Sequence, residues 1–400
     1  MAGPEGACSL YVHIPFCAGA CDYCDFYSIP VSSGDARLDR YVEALLADGE
    51  YSLAAFSLKQ VPTLYVGGGT PSLLGPRRIR RLLAGLRSLL PQPPAEITVE
   101  ANPESADRPF LEACREGGAT RISLGVQTFH EPSRRLVHRV GEGALLPGRL
   151  RLVREYFAQS FSADLITALP GQDREILRED LETLLSFTPG HVSLYALTPE
   201  AGTPLGEEPR FRALLPQRDE ADRLWLMGRD ALERAGYRQY EVSNFALPGR
   251  EAAHNIRYWH LEHWLGLGCA ASGTLIDDGA GRGRRYTVTA DVDAYLAASV
   301  EERAPSPVPK ENSLVSVEEL DRLTLMKETC LMGFRYIEGP DLPLFARRFR
   351  RDLRECIPET LSRWRDRGLL RQDKTALTRE GLLFLDPFLT DCFGELSAAL

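Results

Sequence analysis

Residues 11–26 read YVHIPFCAGACDYCDF, an apolar strand-like run that empties into Cys17, Cys21 and Cys24 at C-x3-C-x2-C spacing. Thiolate is a soft ligand suited to zinc and to iron–sulfur clusters. Gaps of three and two residues let one short loop wrap one face of a cube. A cubic 4Fe–4S cluster has four irons, so three thiolates leave one iron open to a small molecule offering an amine and a carboxylate.

Other readings of the same loop stand beside this one. Zinc on Cys17, Cys21, Cys24 and His13 would complete a tetrahedron. A single tight loop nevertheless differs from paired knuckles, which draw two ligand pairs from separate segments. Disulfides are disfavoured: the nine cysteines lack framework spacing, and the N-terminal MAGPEGACSL has no basic region leading into an apolar core. A reduced, cytoplasmic setting is expected. Cys8, Cys114, Cys330, Cys356 and Cys392 are isolated and read as buried small hydrophobes.

Outward from the loop, a repeating rhythm appears. Leu38, Tyr41, Val42, Leu45 and Leu46 recur at helical spacing. A short apolar strand over 62–66 then ends in Gly67-Gly68-Gly69-Thr70-Pro71. Glycines at a strand end let backbone approach a ligand closely, or simply make a tight turn. Helical segments at 77–90, 105–117, 145–157, 174–186 and 219–235 alternate with strand-like runs at 96–103, 121–129, 161–172 and 191–199. Short apolar strands alternating with such helices predict right-handed βαβ units around a parallel sheet. Six units suit an open, partial β/α barrel, whose chemistry gathers at the C-terminal strand ends. Glu100, Gln127 and Asp164 each interrupt an apolar run near such an end.

The 400 residues, 44% of them hydrophobic, provide for one large domain plus a smaller one. A net charge of −9 argues against a general nucleic-acid binder. No apolar run approaches the ~20 residues that a bilayer demands.

HIPFCAGACDYCDF resembles the cluster motif of the radical S-adenosylmethionine superfamily. More narrowly, it is similar to the branch that holds oxygen-independent coproporphyrinogen III oxidase and the HemW haem chaperones. The resemblance implies a 4Fe–4S cluster on Cys17, Cys21 and Cys24, with S-adenosylmethionine at the open iron. It further implies S-adenosylmethionine contacts from Tyr11, Tyr23, Gly68, Gly69, Thr70, Glu100, Gln127, Arg139 and Asp164. Carboxylates can hold ribose hydroxyls and an amine, and a cation can hold a carboxylate.

Past the barrel, residues 237–245 alternate like a strand and lead into HNIRYWHLEHWLGLGCAASG at 254–273. His254, His260 and His263 lie there beside Tyr258, Trp259 and Trp264. They read either as a buried aromatic cluster closing the barrel's mouth or as a site for a flat haem. HNIRY resembles the HNxxY motif linked with haem in the HemW branch, which implies haem contacts among His254, Tyr258, His260 and His263; His254 is the foremost candidate, with His260, His263 and Cys269 weaker. GAGRGRRY at 279–286 reads as an exposed, solvated hairpin turn, and APSPVPK at 304–310 as a linker.

The expected division is a barrel over 1–240, a barrel-closing segment over 241–303 and a C-terminal domain over 311–400. Helical patterns at 317–331, 342–351 and 358–367 precede a strand–turn–strand over 368–388, with Lys374-Thr375 at its tip. This predicts a winged-helix-like unit. In the resembled branch such a domain packs on the barrel, so the basic RRFRRDLR at 347–354 reads as a solvated face rather than a DNA surface.

The resemblance leaves two functions. The oxidase motif carries a fourth cysteine two residues after the third; here that position is Phe26. Only ten residues precede Tyr11, without the extension typical of the oxidase. Both features, with HNIRYW, imply a haem chaperone that passes haem to an acceptor protein, contacting a membrane only through that acceptor. Radical decarboxylation of coproporphyrinogen III is the alternative.

Overall fold

The computed structural model describes residues 7–307, 309 and 311–398. Met1 to Gly6, and Val308 and Lys310 within the expected linker, lie outside the described residues.

Six strands alternate with helices in the predicted order: β1 (Ser9–Ile14), β2 (Thr63–Gly68), β3 (Glu96–Ala101), β4 (Arg121–Gln127), β5 (Phe161–Thr167) and β6 (His191–Ala196). Each pairs in parallel with the next. Period-2 alternation sorts their side chains. Leu10, Val12, Leu64, Val66, Ile97, Val99, Ile122, Leu124, Val192 and Leu194 are wholly buried and join the helices in one core. The other face carries Ser9, Tyr11, His13, Thr63, Tyr65, Thr98, Glu100, Ser123, Asp164 and Ser193, so the inside of the curve is polar.

A further parallel strand, β7 (Trp264–Leu267), pairs with β1 from the opposite side. It continues antiparallel through Ser272–Asp277, Arg282–Val288 and Val315–Leu320. On the far side Asn244–Ala246 runs antiparallel to β6, and Arg238–Gln239 pairs antiparallel with it at the edge. The result among the described residues is one open twelve-stranded sheet. No described helix is long and apolar enough to cross a membrane.

The structure departs from the sequence pattern in several places. Residues 315–320 form an edge strand, and the helix begins only at Arg322, where Asp321 accepts the Thr324 amide at 2.7 Å. The expected exposed turn at 279–286 is mostly strand, and Tyr286 is wholly buried with its hydroxyl on Gly266. The C-terminal hairpin shrinks to one bridge, Leu370 to Leu377. Its second arm is helical, a 3-10 turn at Gly381–Phe384 running into Leu385–Ala398. Phe388, Leu389, Cys392 and Leu396 recur there at helical spacing and fill a second core with Phe334, Phe345 and Trp364. Nor is the basic stripe all solvated: Arg348 is 1% exposed and donates to Asp278 at 2.7 Å.

Candidate functional site

At the C-terminal end of β1 the chain continues through Phe16–Cys17, which pairs in parallel with Ile29–Pro30. The residues between therefore form a closed loop carrying Cys21 and Cys24. Asp22 clamps it from several sides. Its amide donates to Val137 O at 3.0 Å, its carbonyl accepts Leu205 N at 2.9 Å, and its carboxylate meets His138 at 2.8 Å and Arg210 at 3.5 Å. Tyr23 packs beside Val137, Ile166, Leu169, Leu205 and Phe211.

All three loop cysteines are free thiols. Burial pushes the Cys24 thiol up to about 11, and the neighbouring Cys21 and Cys17 add to the rise. Thiolates gathered this way repel one another unless an electron-poor centre draws them together, so the donor set fits a metal cluster. Zinc fits less well. Both ring nitrogens of His13 are engaged, with Tyr11 Oη at 2.9 Å and Tyr27 O at 3.1 Å. Among the described residues no three His, Cys, Asp or Glu converge as a single ion requires. Thiolates spread over three irons of a cube need no such convergence.

The glycine turn threads against this loop. Gly69 N donates to Ile14 O at 2.8 Å and Thr70 N to Phe16 O at 2.7 Å. A Cβ on Gly69 would sit 2.7 Å from Phe16 O, and one on Gly68, whose φ is +112°, would sit 2.6 Å from the His13 ring. The glycines thus let two strand ends approach each other, whatever else they admit. Thr70 Oγ1 lies 3.1 Å from Cys17 Sγ.

Around the mouth stand the other expected residues. Glu100 accepts from Tyr65 Oη at 2.6 Å and from Gly68 N at 3.1 Å. Burial raises its carboxyl to about 7, with Asp164 adding to the rise. Asp164, which accepts from Ser193 and Ser123, is raised by burial to about 6. Gln127 ends β4 at a register shift with φ of 68°, a left-handed conformation uncommon for a residue with a Cβ. Arg139 reaches across to Cys21 Sγ at 3.8 Å and donates to Gly125 O and Asn102 Oδ1, each at 2.7 Å. Gln127 Oε1, Arg139 Nε and both Glu104 carboxylate oxygens are buried without a hydrogen-bond partner. A left-handed residue and four orphaned polar atoms thus lie together beyond the ends of β3 and β4, as they do where a ligand is received.

Comparison with known proteins gives the family. The Radical SAM superfamily matches residues 11–184 and the HemN C-terminal domain matches residues 320–384. The heme chaperone HemW of Lactococcus lactis is 32% identical over 92% of this chain and 91% of its own length. The chain belongs to the HemW branch of the radical S-adenosylmethionine superfamily. The mouse mitochondrial radical S-adenosyl methionine domain-containing protein 1 is 33% identical over 83% of this chain and 74% of its own. The solved coproporphyrinogen III oxidase HemN of Escherichia coli shares the fold, with TM-score 0.79 and 24% identity over 98% of this chain and 91% of that one.

For a HemW-branch chain, the place of the HNIRY segment is a correction. It does not close the mouth. Helix Ala253–Trp259 packs under the opposite end, where the strands begin. Glu96, first residue of β3, accepts from Ala253 N at 3.1 Å and His254 N at 3.0 Å. Arg121, first residue of β4, pairs with Glu96 at 3.3 Å and grips the Arg250 and Glu251 carbonyls at 2.8 Å each. His254 is 1% exposed, held to Thr63 Oγ1 at 2.8 Å, and burial lowers its ring to about 3. Tyr258 stands edge-on between His254 and Trp264. His263 accepts from Ile276 N at 3.2 Å, with burial lowering it to about 4. Cys269 is buried and donates to Thr289 O at 3.1 Å. His260 keeps a quarter of its side chain open, edge-on to Tyr336 at 5.4 Å.

Sequence reasoning missed Tyr65, Asn102, Glu104 and Asp22. Tyr65 points inward with Thr63 by alternation in PTLYV, and Asn102 and Glu104 stand in ANPES just past β3. Asn102 donates to Thr70 Oγ1 at 2.9 Å while receiving Arg139, so it ties the glycine turn to the cation.

Proposed function

We propose that this chain is a haem chaperone, binding haem and passing it to an acceptor protein. Cys17, Cys21 and Cys24 hold a 4Fe–4S cluster, and Tyr11, Tyr23, Gly68, Gly69, Thr70, Glu100, Gln127, Arg139 and Asp164 form the S-adenosylmethionine site. A bound cluster supplies an open iron position and one-electron chemistry. The residues themselves bind and orient. Glu100 and Asp164 accept hydrogen bonds from hydroxyl and amine donors, and Arg139 keeps Cys21 in register with β4.

The observation carrying the reading is the orphaned polar group at the strand ends beside three free thiols. Similarity to HemW chaperones along the whole chain supports the haem role. Phe26, where the resembled oxidase has a cysteine, is 66% exposed at the loop's surface. Of the three histidines in the HNIRY segment, His260 offers the accessible imidazole.

The test uses anaerobically reconstituted protein, titrated with haem and separately incubated with dithionite, S-adenosylmethionine and coproporphyrinogen III. Haem binding without tetrapyrrole conversion is expected, weakened in His260→Ala. Formation of protoporphyrinogen would establish the oxidase instead.

A further inference from the structure

The HNIRY helix and the mouth of the barrel are joined by a column of rings. Trp264 meets Tyr258 edge-on at 4.9 Å, and Tyr258 meets His254 edge-on at 4.9 Å. His254 lies 5.0 Å under Tyr65 at an interplanar angle of 28°. Tyr11 also stacks with Tyr65, at 6.2 Å and 27°. His254 and Tyr258 are four residues apart on one helix, so they share a face. From this column the Tyr65 hydroxyl reaches Glu100. Gly67 makes the room: a Cβ there would lie 2.7 Å from the Tyr65 ring and 3.0 Å from the Glu100 carboxyl.

We infer that His254 is a positioning residue for the cofactor site, holding Tyr65 against Glu100 from beneath, and does not ligate haem. The inference rests on the assignment of Glu100 to S-adenosylmethionine. Thr63 Oγ1 donates to Ser9 Oγ at 3.0 Å and so accepts from His254 at Nδ1, leaving Nε2 bare, buried and unpartnered. A neutral ring stacks against Tyr65 without bringing a charge towards Glu100, and burial keeps it neutral. A haem iron could reach Nε2 only if the helix left its seat on Glu96 and Arg121.

Other groups also face Glu100. Tyr11, Tyr65 and Tyr195 surround it, with Asp164 across the mouth. Tyr65 is the one among them whose hydroxyl donates to it and lowers its raised carboxyl. Loosening Tyr65 should therefore move the pH at which Glu100 ionises upward.

The experiment compares reconstituted wild type with His254→Ala, His254→Phe, Tyr65→Phe and Glu100→Gln. Binding of S-adenosylmethionine is measured by equilibrium dialysis from pH 5.5 to 8.5, and haem affinity by titration. His254→Ala should weaken S-adenosylmethionine about fivefold to tenfold, the worth of one aromatic pair, and raise the midpoint of its pH dependence. His254→Phe, which restores the ring, should recover most of that loss, and Tyr65→Phe should reproduce the raised midpoint. Haem affinity should not change in either His254 variant. Unchanged S-adenosylmethionine affinity and midpoint in His254→Ala would overturn the inference, as would loss of haem binding in both His254 variants. Should His254→Ala not fold, an unmoved midpoint in Tyr65→Phe overturns it equally. Glu100→Gln separates the two levels: normal binding there would remove Glu100 from the cofactor site and end the underlying assignment.

Discussion

Glu100 and Asp164 have acidities displaced toward neutrality, to about 7 and about 6, chiefly by burial. A carboxyl raised in the folded state stabilises the fold below its unfolded value, and that contribution is lost as pH rises through the folded one. These two groups should therefore make the cofactor-free protein less stable at pH 8 than at pH 5. S-adenosylmethionine, which needs the charged forms, should bind more tightly across the same rise. Thermal melts at both pH values, with and without the ligand, check this; a ligand-induced gain in Tm that is larger at pH 5 would contradict the sign. Glu100→Gln should raise the Tm of the ligand-free protein at pH 8 while weakening binding, because it removes a buried charge that its two neutral donors, Tyr65 and the Gly68 amide, do not neutralise. Cysteine chemistry divides at the same scale. Replacing Cys17, Cys21 and Cys24 together by alanine should abolish iron–sulfur absorbance, whereas serine at buried Cys114 should not. Stoichiometric zinc in a colourless wild type would refute the cluster.

The element that most needs its surroundings is the helix Ala253–Trp259. Only seven residues long, it has no side-chain N-cap of its own and borrows Glu96 for its first amides. Arg121→Met would leave the Glu96 carboxylate with less compensation and free two carbonyls of residues 250 and 251. A loss of about 3 kcal/mol is expected, read from urea unfolding, since removing one partner of a buried pair strands the other. The same helix shows where sequence reading stopped. Barrel strands such as Thr63–Gly68 were legible because apolar residues alternate within runs closed by glycine, and the cluster loop because three thiols stand at fixed spacing. Which end of the barrel the HNIRY segment occupies is written in no local pattern. It is decided by Thr63, Glu96 and Arg121, more than a hundred residues away in the chain. The 381–398 stretch failed for another reason: a short apolar run such as GLLFLDPF has no period of its own, and only its continuation through Cys392 and Leu396 makes it a helix.

Among the described residues the two largest cores lie along the barrel sheet and within the C-terminal helices, with a small third cluster behind Tyr23. Arg348 and Arg379 join them unequally. Arg348, from helix Leu342–Phe349, is buried and donates to Asp278 at 2.7 Å and to Leu261 O at 3.2 Å, so it plugs the C-terminal unit into the strand extension beyond β7. Arg379 is about a third exposed and meets Asp230 and Glu233 on helix Arg218–Arg234, with Glu380 beside it. Desolvation decides their worth. Truncating a buried arginine strands its acceptors, costing about 3 kcal/mol, while a solvated network loses about 1 kcal/mol to screening and side-chain freedom. Arg348→Ala should therefore lower the urea midpoint well beyond Arg379→Ala, and high salt should narrow the effect of Arg379→Ala alone. If the C-terminal unit serves chiefly as a brace for the strand extension, both variants should retain full iron–sulfur absorbance. The cysteine loop hangs from β1 and is clamped by Asp22 through Val137, Leu205, His138 and Arg210, with neither arginine among those partners. Equal midpoints for the two variants would show that the interface is held by its apolar contacts, with Arg348 a passenger.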